Sequence, residues 1–234
     1  MIGWLIYSAV DVEKNKYYIQ MYKDKFKEHF IEIKLVIVEE LENMEQYVKC
    51  NKVDFAINRS RNHIMGELLE QKGVRVFNSS SVTRIANNKG ITYEFLKDVV
   101  PFLAVKYGNE IIESKIENKG FEYPYVIKSC SGHGGSQVFL VNNSKEDEQA
   151  VKAMNGQEYV VQQCCSDLGR DVRVYIIGNK IIKAVLRTST ESFKSNYSLG
   201  GKVQEYTLNN EEKAMVERIV DKLSLDYAGI DFTF

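Results

Sequence analysis

Residues 123–141, Tyr-Pro-Tyr-Val-Ile-Lys-Ser-Cys-Ser-Gly-His-Gly-Gly-Ser-Gln-Val-Phe-Leu-Val, constrain the fold of this chain more than any other stretch. Val126-Ile127 and Val138-Phe139-Leu140-Val141 are β-branched and aromatic runs of strand type, and Pro124 is tolerated at the first position of a strand. Between the two runs lie Lys128 and a turn of small residues holding Gly132, Gly134 and Gly135. Such a turn can bend through positive φ and bring backbone N–H groups close to a ligand. A lysine beside a ring of amide donors suits a polyphosphate, because it adds a point charge to them. An ordinary hairpin closed by glycine accounts for the same residues, so the rest of the chain has to decide.

The first 88 residues alternate strand and helix patterns. Strands are expected at 2–7, 31–38, 53–57 and 74–77, with helices at 17–30, 39–48 and 65–71. In the first helix Tyr18, Met21, Tyr22, Phe26 and Phe30 recur near the 3.6-residue period, and Ser79-Ser80-Ser81 brings capping chemistry for a further helix. This βαβα succession predicts a small, mostly parallel sheet with helices on both faces. Ligands on such sheets sit at the carboxyl ends of strands. Asn58, Arg59 and Arg61 directly follow the third strand, which makes them candidates for a substrate carboxylate or phosphate, or else solvated loop residues.

Further on, a short helix at 91–99, a strand at 102–106, a charged helix at 112–119, the glycine-turn strands and a helix at 145–154 make an α+β module. Strands follow at 158–165, 171–177 and 180–186, the last two joined by a Gly178-Asn179 turn. A long polar loop at 188–201 leads to a strand at 203–207. Asn209 or Asn210 then caps a helix with Val216, Ile219, Val220 and Leu223 on one face, and Ala228-Gly229-Ile230-Asp231-Phe232 begins a last strand.

Composition narrows the function classes. Hydrophobic residues at 44% and charged residues at 27% describe a globular chain. With 31 Lys+Arg against 32 Asp+Glu the net charge is -1, so no basic signature points to nucleic acid. No apolar run approaches the roughly 20 residues that span a bilayer. The first residues lack a basic segment and read as a strand rather than a secretion signal. Cys50, Cys130, Cys164 and Cys165 form no metal-type CxxC pair, which suits free thiols in a reducing cytoplasm.

Five motifs then fall in order: Tyr-Val-Ile-Lys with Gly-x-Gly-Gly, Val-Val-Gln-Gln, Gly-Arg-Asp-Val-Arg-Val, Phe-Lys-Ser-Asn with Gly-Gly, and Ala-Gly-Ile-Asp. In this combination the chain resembles the RimK-type carboxylate–amine ligases of the ATP-grasp superfamily over nearly its whole length. The resemblance implies an ATP-grasp fold of α/β and α+β parts. A doubly wound α/β domain would occupy 1–88, a small central β-rich subdomain 89–160, and an antiparallel-sheet subdomain 161–234.

The same resemblance assigns roles. Lys89 and Lys128 would hold ATP phosphates, and the loop carrying Ser131, Gly132, Gly134 and Gly135 would be the flap over the triphosphate. Gln162, Gln163 and Cys164 would lie on the hinge strand whose backbone pairs with adenine, with Gln163 where the family often has glutamate. Asp171 would meet the ribose edge. Arg173 and Arg187 would face the phosphates and the acyl phosphate, together with Asn196 of the Lys194-Ser195-Asn196 motif, which in relatives begins with arginine. Asp231 would be the first carboxylate on Mg²⁺ (or Mn²⁺). Family members continue to a Glu-x-Asn motif, whereas this chain stops at Phe234, so the C-terminal subdomain is expected to be incomplete.

The implied reaction is ADP-forming: ATP phosphorylates a carboxylate and an amine attacks the acyl phosphate. The expected partners are small-molecule or peptide carboxylates and amines, with no nucleic acid and no membrane; a homo-oligomer is left open. Two other readings compete, an ATP-binding protein without ligase activity and an ATP-grasp kinase. His63 and His133 read as surface or loop residues.

Overall fold

A computed structural model describes residues 1–108, 120–135, 137–189 and 202–234. They divide into two compact units, Met1–Arg84 and Ile85–Phe234.

In the first unit, β1 (Ile2–Tyr7), β2 (Glu32–Ile37), β3 (Phe55–Asn58) and β4 (Arg75–Phe77) form a parallel sheet in the order β2-β1-β3-β4. The chain runs outward from β1 to β2, then crosses back to β3 and β4. Trp4, Leu5 and Ile6 are fully buried, as a central parallel strand requires. They meet Val36, Val48, Ala56, Met65, Leu69 and Val76 in one core cluster or beside it. The helices are Ala9–Val12, Lys16–Lys27, Met44–Cys50, His63–Gln71 and Ser80–Ala86. One differs from the helix expected over 39–48. Val38–Glu40 make only a 3₁₀ turn, Leu41 is extended, and the helix restarts where the Asn43 side chain accepts from the Gln46 amide at 2.9 Å. The cap overrides the helical propensity of the Glu-rich segment before it.

The second unit holds two antiparallel sheets. β5 (Val105–Tyr107), β6 (Tyr125–Ser129), β7 (Val138–Val141) and β8 (Tyr159–Gln163) are ordered β5-β8-β6-β7. Side chains alternate across a strand, and here the two faces do different things. Tyr125, Ile127, Val141, Tyr159 and Val161 pack with Ala150 and Met154 of the Ser144–Met154 helix. Val126, Lys128, Val138 and Gln162 point the other way, into a cavity.

The other sheet orders β9 (Arg170–Ile177), β10 (Lys180–Thr188), β11 (Lys202–Tyr206) and β12 (Tyr227–Thr233) as β11-β10-β9-β12. The expected hairpin is present: Gly178 and Asn179 both take positive φ, at 56° and 62°, so their twist matches the strands they join. On β9, Val172, Val174 and Ile176 are buried, and the alternate positions Asp171 and Arg173 carry charge. The Asn210–Leu223 helix buries Val216, Ile219, Val220 and Leu223 and starts from a complete capping box between Asn209 and Glu212. The remaining helix, Lys89–Leu96, opens at Asn88, whose side chain accepts from the Ile91 amide at 3.1 Å.

Candidate functional site

A cavity of about 150 Å³ lies between the polar face of the β5–β8–β6–β7 sheet and the segment entering β9. The sheet side supplies Val126, Lys128, Val138, Gln162 and Gln163, with Leu103 and Gly135 beside them. The opposite side is Cys165, residues 167–171 and Thr233 at the end of β12. Five of the expected residues therefore meet in one place: Lys128, Gly135, Gln162, Gln163 and Asp171.

Lys128 is the charge at the centre of this wall. Its ammonium donates to Gln162 Oε1 at 2.5 Å. Burial, and then repulsion from Lys89, hold its pKa below the usual lysine range. Lys89 starts its helix, and its backbone N–H donates to Cys130 O at 2.9 Å. Its ammonium donates to the carbonyls of Gly132 and, at 3.0 Å, Ser129, and burial lowers its pKa too. Among the described residues neither ammonium is paired with a carboxylate. Two half-buried cations answered, among the described residues, by neutral carbonyls are only partly compensated, and a polyanion beside them would relieve that cost.

The glycine loop is pinned at its base, where Ser129 N donates to Gln137 O at 3.0 Å. Gly134 and Gly135 follow each other at φ 63° and 79°, a conformation that L side chains resist. Ser131, Gly132 and Gly134 belong to this loop, but among its described residues Gly135 alone reaches the cavity wall.

The end of β8 differs from the expected hinge. The strand stops at Gln163 and lies between β5 and β6, and the Gln163 amide already donates to Ala104 O at 2.9 Å. The chain leaves the sheet at Cys164, and Cys165 lines the cavity where Cys164 does not. Burial raises the Cys164 thiol pKa. Cys165, Leu103 and Thr233 escaped the sequence reading, since nothing in their type separates them from ordinary strand-end residues.

Arg173, Arg187, Asp171 and Asp231 form a separate cluster on the second sheet. Cross-strand register puts Asp231 opposite Arg173 and Asp171 opposite Arg187. Arg187 Nε and Nη2 bind the two Asp171 oxygens, both at 2.6 Å, and Arg173 binds those of Asp231 at 2.7 and 2.6 Å. Arg187 Nη2 also reaches Asp231 Oδ1 at 3.1 Å, which links the two pairs. Burial pulls the Arg187 pKa down, but its hydrogen bond to Asp171 and the two carboxylate charges outweigh that and leave it raised.

Asp171 thus offers Arg187 the oxygens expected to meet ribose, and Asp231 offers arginines the oxygens expected to meet a metal. Mg²⁺ asks for a near-octahedral set of oxygen ligands. No group of three His, Cys, Asp or Glu side chains gathers among the described residues; in nucleotide sites Mg²⁺ takes one or two carboxylates beside the substrate phosphates, and Asp231, the carboxylate expected to serve, is held by Arg173 and Arg187. Lys194, Ser195 and Asn196, like Ser136, lie outside the described residues.

Asn58 at the end of β3 and the residues after it have structural partners. The Asn58 side chain is buried, accepts from Ser60 N and Oγ at 3.1 and 2.7 Å, and donates to Asn62 O at 2.8 Å. Arg61 pairs with Asp11. Arg59 is exposed and acts on the buried Tyr7 hydroxyl.

Comparison with known proteins gives consistent matches. Residues 97–234 match the RimK-like ATP-grasp domain model. An uncharacterized protein of Mycoplasma genitalium is 31% identical over 95% of this chain and 75% of its own length. Human N-acetylaspartylglutamate synthase A is 31% identical over 70% of this chain and 44% of its own length. Among solved structures, the D-alanine–D-alanine ligase of Bacillus anthracis complexed with ATP superposes with a TM-score of 0.72 at 17% identity, covering 100% of this chain and 82% of the ligase.

Proposed function

Because the chain belongs to the RimK-like ATP-grasp family, we propose that it is an ATP-dependent, ADP-forming ligase that joins a carboxylate to an amine. The observation that carries this reading is the pair of half-buried ammonium groups, Lys89 and Lys128, held beside a glycine loop with no carboxylate partner among the described residues. They suit the β- and γ-phosphates of ATP. The apolar side chains of Leu103, Val126 and Val138 suit the flat adenine.

In the proposed reaction a carboxylate oxygen attacks the terminal phosphorus and the bond to ADP breaks. The amine nitrogen then attacks the acyl carbon, inorganic phosphate leaves, and the amine gives up its proton. No protein nucleophile is needed. What the chain supplies is position and positive charge. Lys128 and Lys89 would balance charge on the transferring group, and the Gly134-Gly135 turn would let backbone amides approach it. Arg173 and Arg187 hold Asp231 and Asp171 through Nε and Nη2, so Nη1 is the nitrogen each would turn to a phosphate. A divalent cation bound with ATP would take Asp231 as its carboxylate and supply further positive charge to the phosphates. A cavity of about 150 Å³ is below the roughly 300–1,000 Å³ of small-ligand clefts, so it would hold part of a nucleotide rather than the whole.

Likeness to N-acetylaspartylglutamate synthase A supports acidic amino acids as the substrate class. A second reading, nucleotide binding without ligation, is favoured by the occupation of Asp231 by two arginines. Titration of the chain and of Lys128→Ala with ATP, with and without Mg²⁺, tests the nucleotide site: saturable binding that the substitution abolishes is expected. ADP release that needs both a carboxylate and an amine separates a ligase from a binding protein or a kinase.

A further inference from the structure

We propose that Gln162 is a positioning residue for the phosphates of the nucleotide, its side-chain carbonyl fixing where the Lys128 ammonium points. The inference rests on the nucleotide reading above and adds a side-chain role on a strand whose backbone alone was expected to matter.

The geometry follows from sheet register. In the antiparallel pair of β6 and β8, Val126 stands opposite Gln162 and Lys128 opposite Val160. Lys128 and Gln162 are therefore diagonal neighbours on one face, within reach of two long side chains. The contact is made at 2.5 Å, and both residues line the cavity.

The chemistry of the acceptor is what gives the contact meaning. A carboxylate in this place would also orient the ammonium, but it would neutralise it and compete with phosphate. An amide carbonyl orients the cation and leaves its whole charge for the ligand. Lys89 is held in the same way, by the main-chain carbonyls of Ser129 and Gly132. Both lysines are thus aimed by neutral oxygens. The groups acting on Lys128 are Lys89 from its helix start and Cys164 and Cys165 from the end of β8, while Asp167, Arg170 and Asp171 line the opposite wall.

Two variants test this on the full chain, Gln162→Met, which keeps length and loses the acceptor, and Gln162→Glu, which replaces a neutral acceptor by a charged one. Calorimetry measures ATP and adenosine, and NMR of the Lys128 side chain, assigned by its loss in Lys128→Arg, follows its titration without nucleotide. Gln162→Met is expected to weaken ATP about tenfold, to leave adenosine unchanged and to lower the Lys128 titration midpoint. Gln162→Glu is expected to raise that midpoint and still weaken ATP. Loss of ATP and adenosine in parallel, undiminished ATP affinity in both variants, or a midpoint that neither variant moves would overturn the proposal. An unsubstituted chain that binds no ATP would remove the phosphate role together with the nucleotide reading. A midpoint that still moves in Gln162→Met would show that the contact itself is real.

Discussion

Asp171→Asn should destabilise the second unit far more than Asp231→Asn, although both remove a carboxylate from the same cluster. Asp171 and Arg187 are 8% and 6% exposed and meet through two hydrogen bonds of 2.6 Å. Stranding one member of such a buried pair costs about 3–5 kcal/mol. Arg187 keeps one contact to Asp231 at 3.1 Å, which favours the low end, about 3 kcal/mol. The side chains of Asp231 and Arg173 are 41% and 33% exposed, so water takes over much of a lost bond there, at a cost of about 1 kcal/mol or less. For a domain of this size each kcal/mol moves Tm by about 2–4 °C, giving about 6–12 °C for Asp171→Asn and about 2–4 °C for Asp231→Asn. Thermal melting followed by far-UV circular dichroism measures the difference, while fluorescence of Trp4, the chain's single tryptophan, reports on the first unit. An equal loss for the two variants would refute the burial argument. The double change Asp171→Leu with Arg187→Met should recover most of the stability, because an apolar pair leaves no stranded charge. A double variant as unstable as Asp171→Asn would show that the cost is not electrostatic.

Other expectations follow from the same structure. Gly3→Ala would place a Cβ 2.3 Å from Phe55 Cζ, in a ring that also packs on Phe26 and Phe77, and should cost about 1–3 kcal/mol in a melt followed by Trp4 fluorescence. Asn209→Ala removes the capping box of the Asn210–Leu223 helix and should cost about 1 kcal/mol by urea unfolding. Lys128 is held below the ordinary lysine value of about 10.4. Between its lowered pKa and that value the unfolded chain keeps a proton that the folded one has lost, so its contribution to stability rises with pH. ATP affinity should fall across the same window as the charge disappears. Both trends are read as differences between the chain and Lys128→Met, and trends of the same sign would refute the assignment.

The strands were legible because their apolar runs are short and bounded by turn residues: the ends of β1, β6 and β7 fall within a residue or two of the pattern. Lys128 was legible because a lysine ending a buried strand before a glycine turn has few structural uses. Long-range pairing was not. Nothing local in Asp171 or Asp231 says that an arginine opposite will take its oxygens, because that depends on the register of β9 against β10 and β12. The contact of Gln162 with Lys128 has the same origin, lying 34 residues apart in the chain and two apart across a sheet. The restart of the helix at Met44 was missed because one asparagine cap outweighed several favourable glutamates.

The two-faced sheet of β6, β7 and β8 has a consequence for how its gene can vary. Apart from Gln163 at the very end of β8, the cavity-facing positions on these strands, 126, 128, 138 and 162, share one parity, and the core positions 125, 127, 141, 159 and 161 share the other. Inserting or deleting one residue inside β6 would send Lys128 toward Met154 and Ile127 toward the ligand, exchanging core and site in one step. Two-residue changes preserve parity, and changes in the turns leave it untouched. Length variation among descendants of this chain should therefore collect in the turns, and within these strands come only in twos.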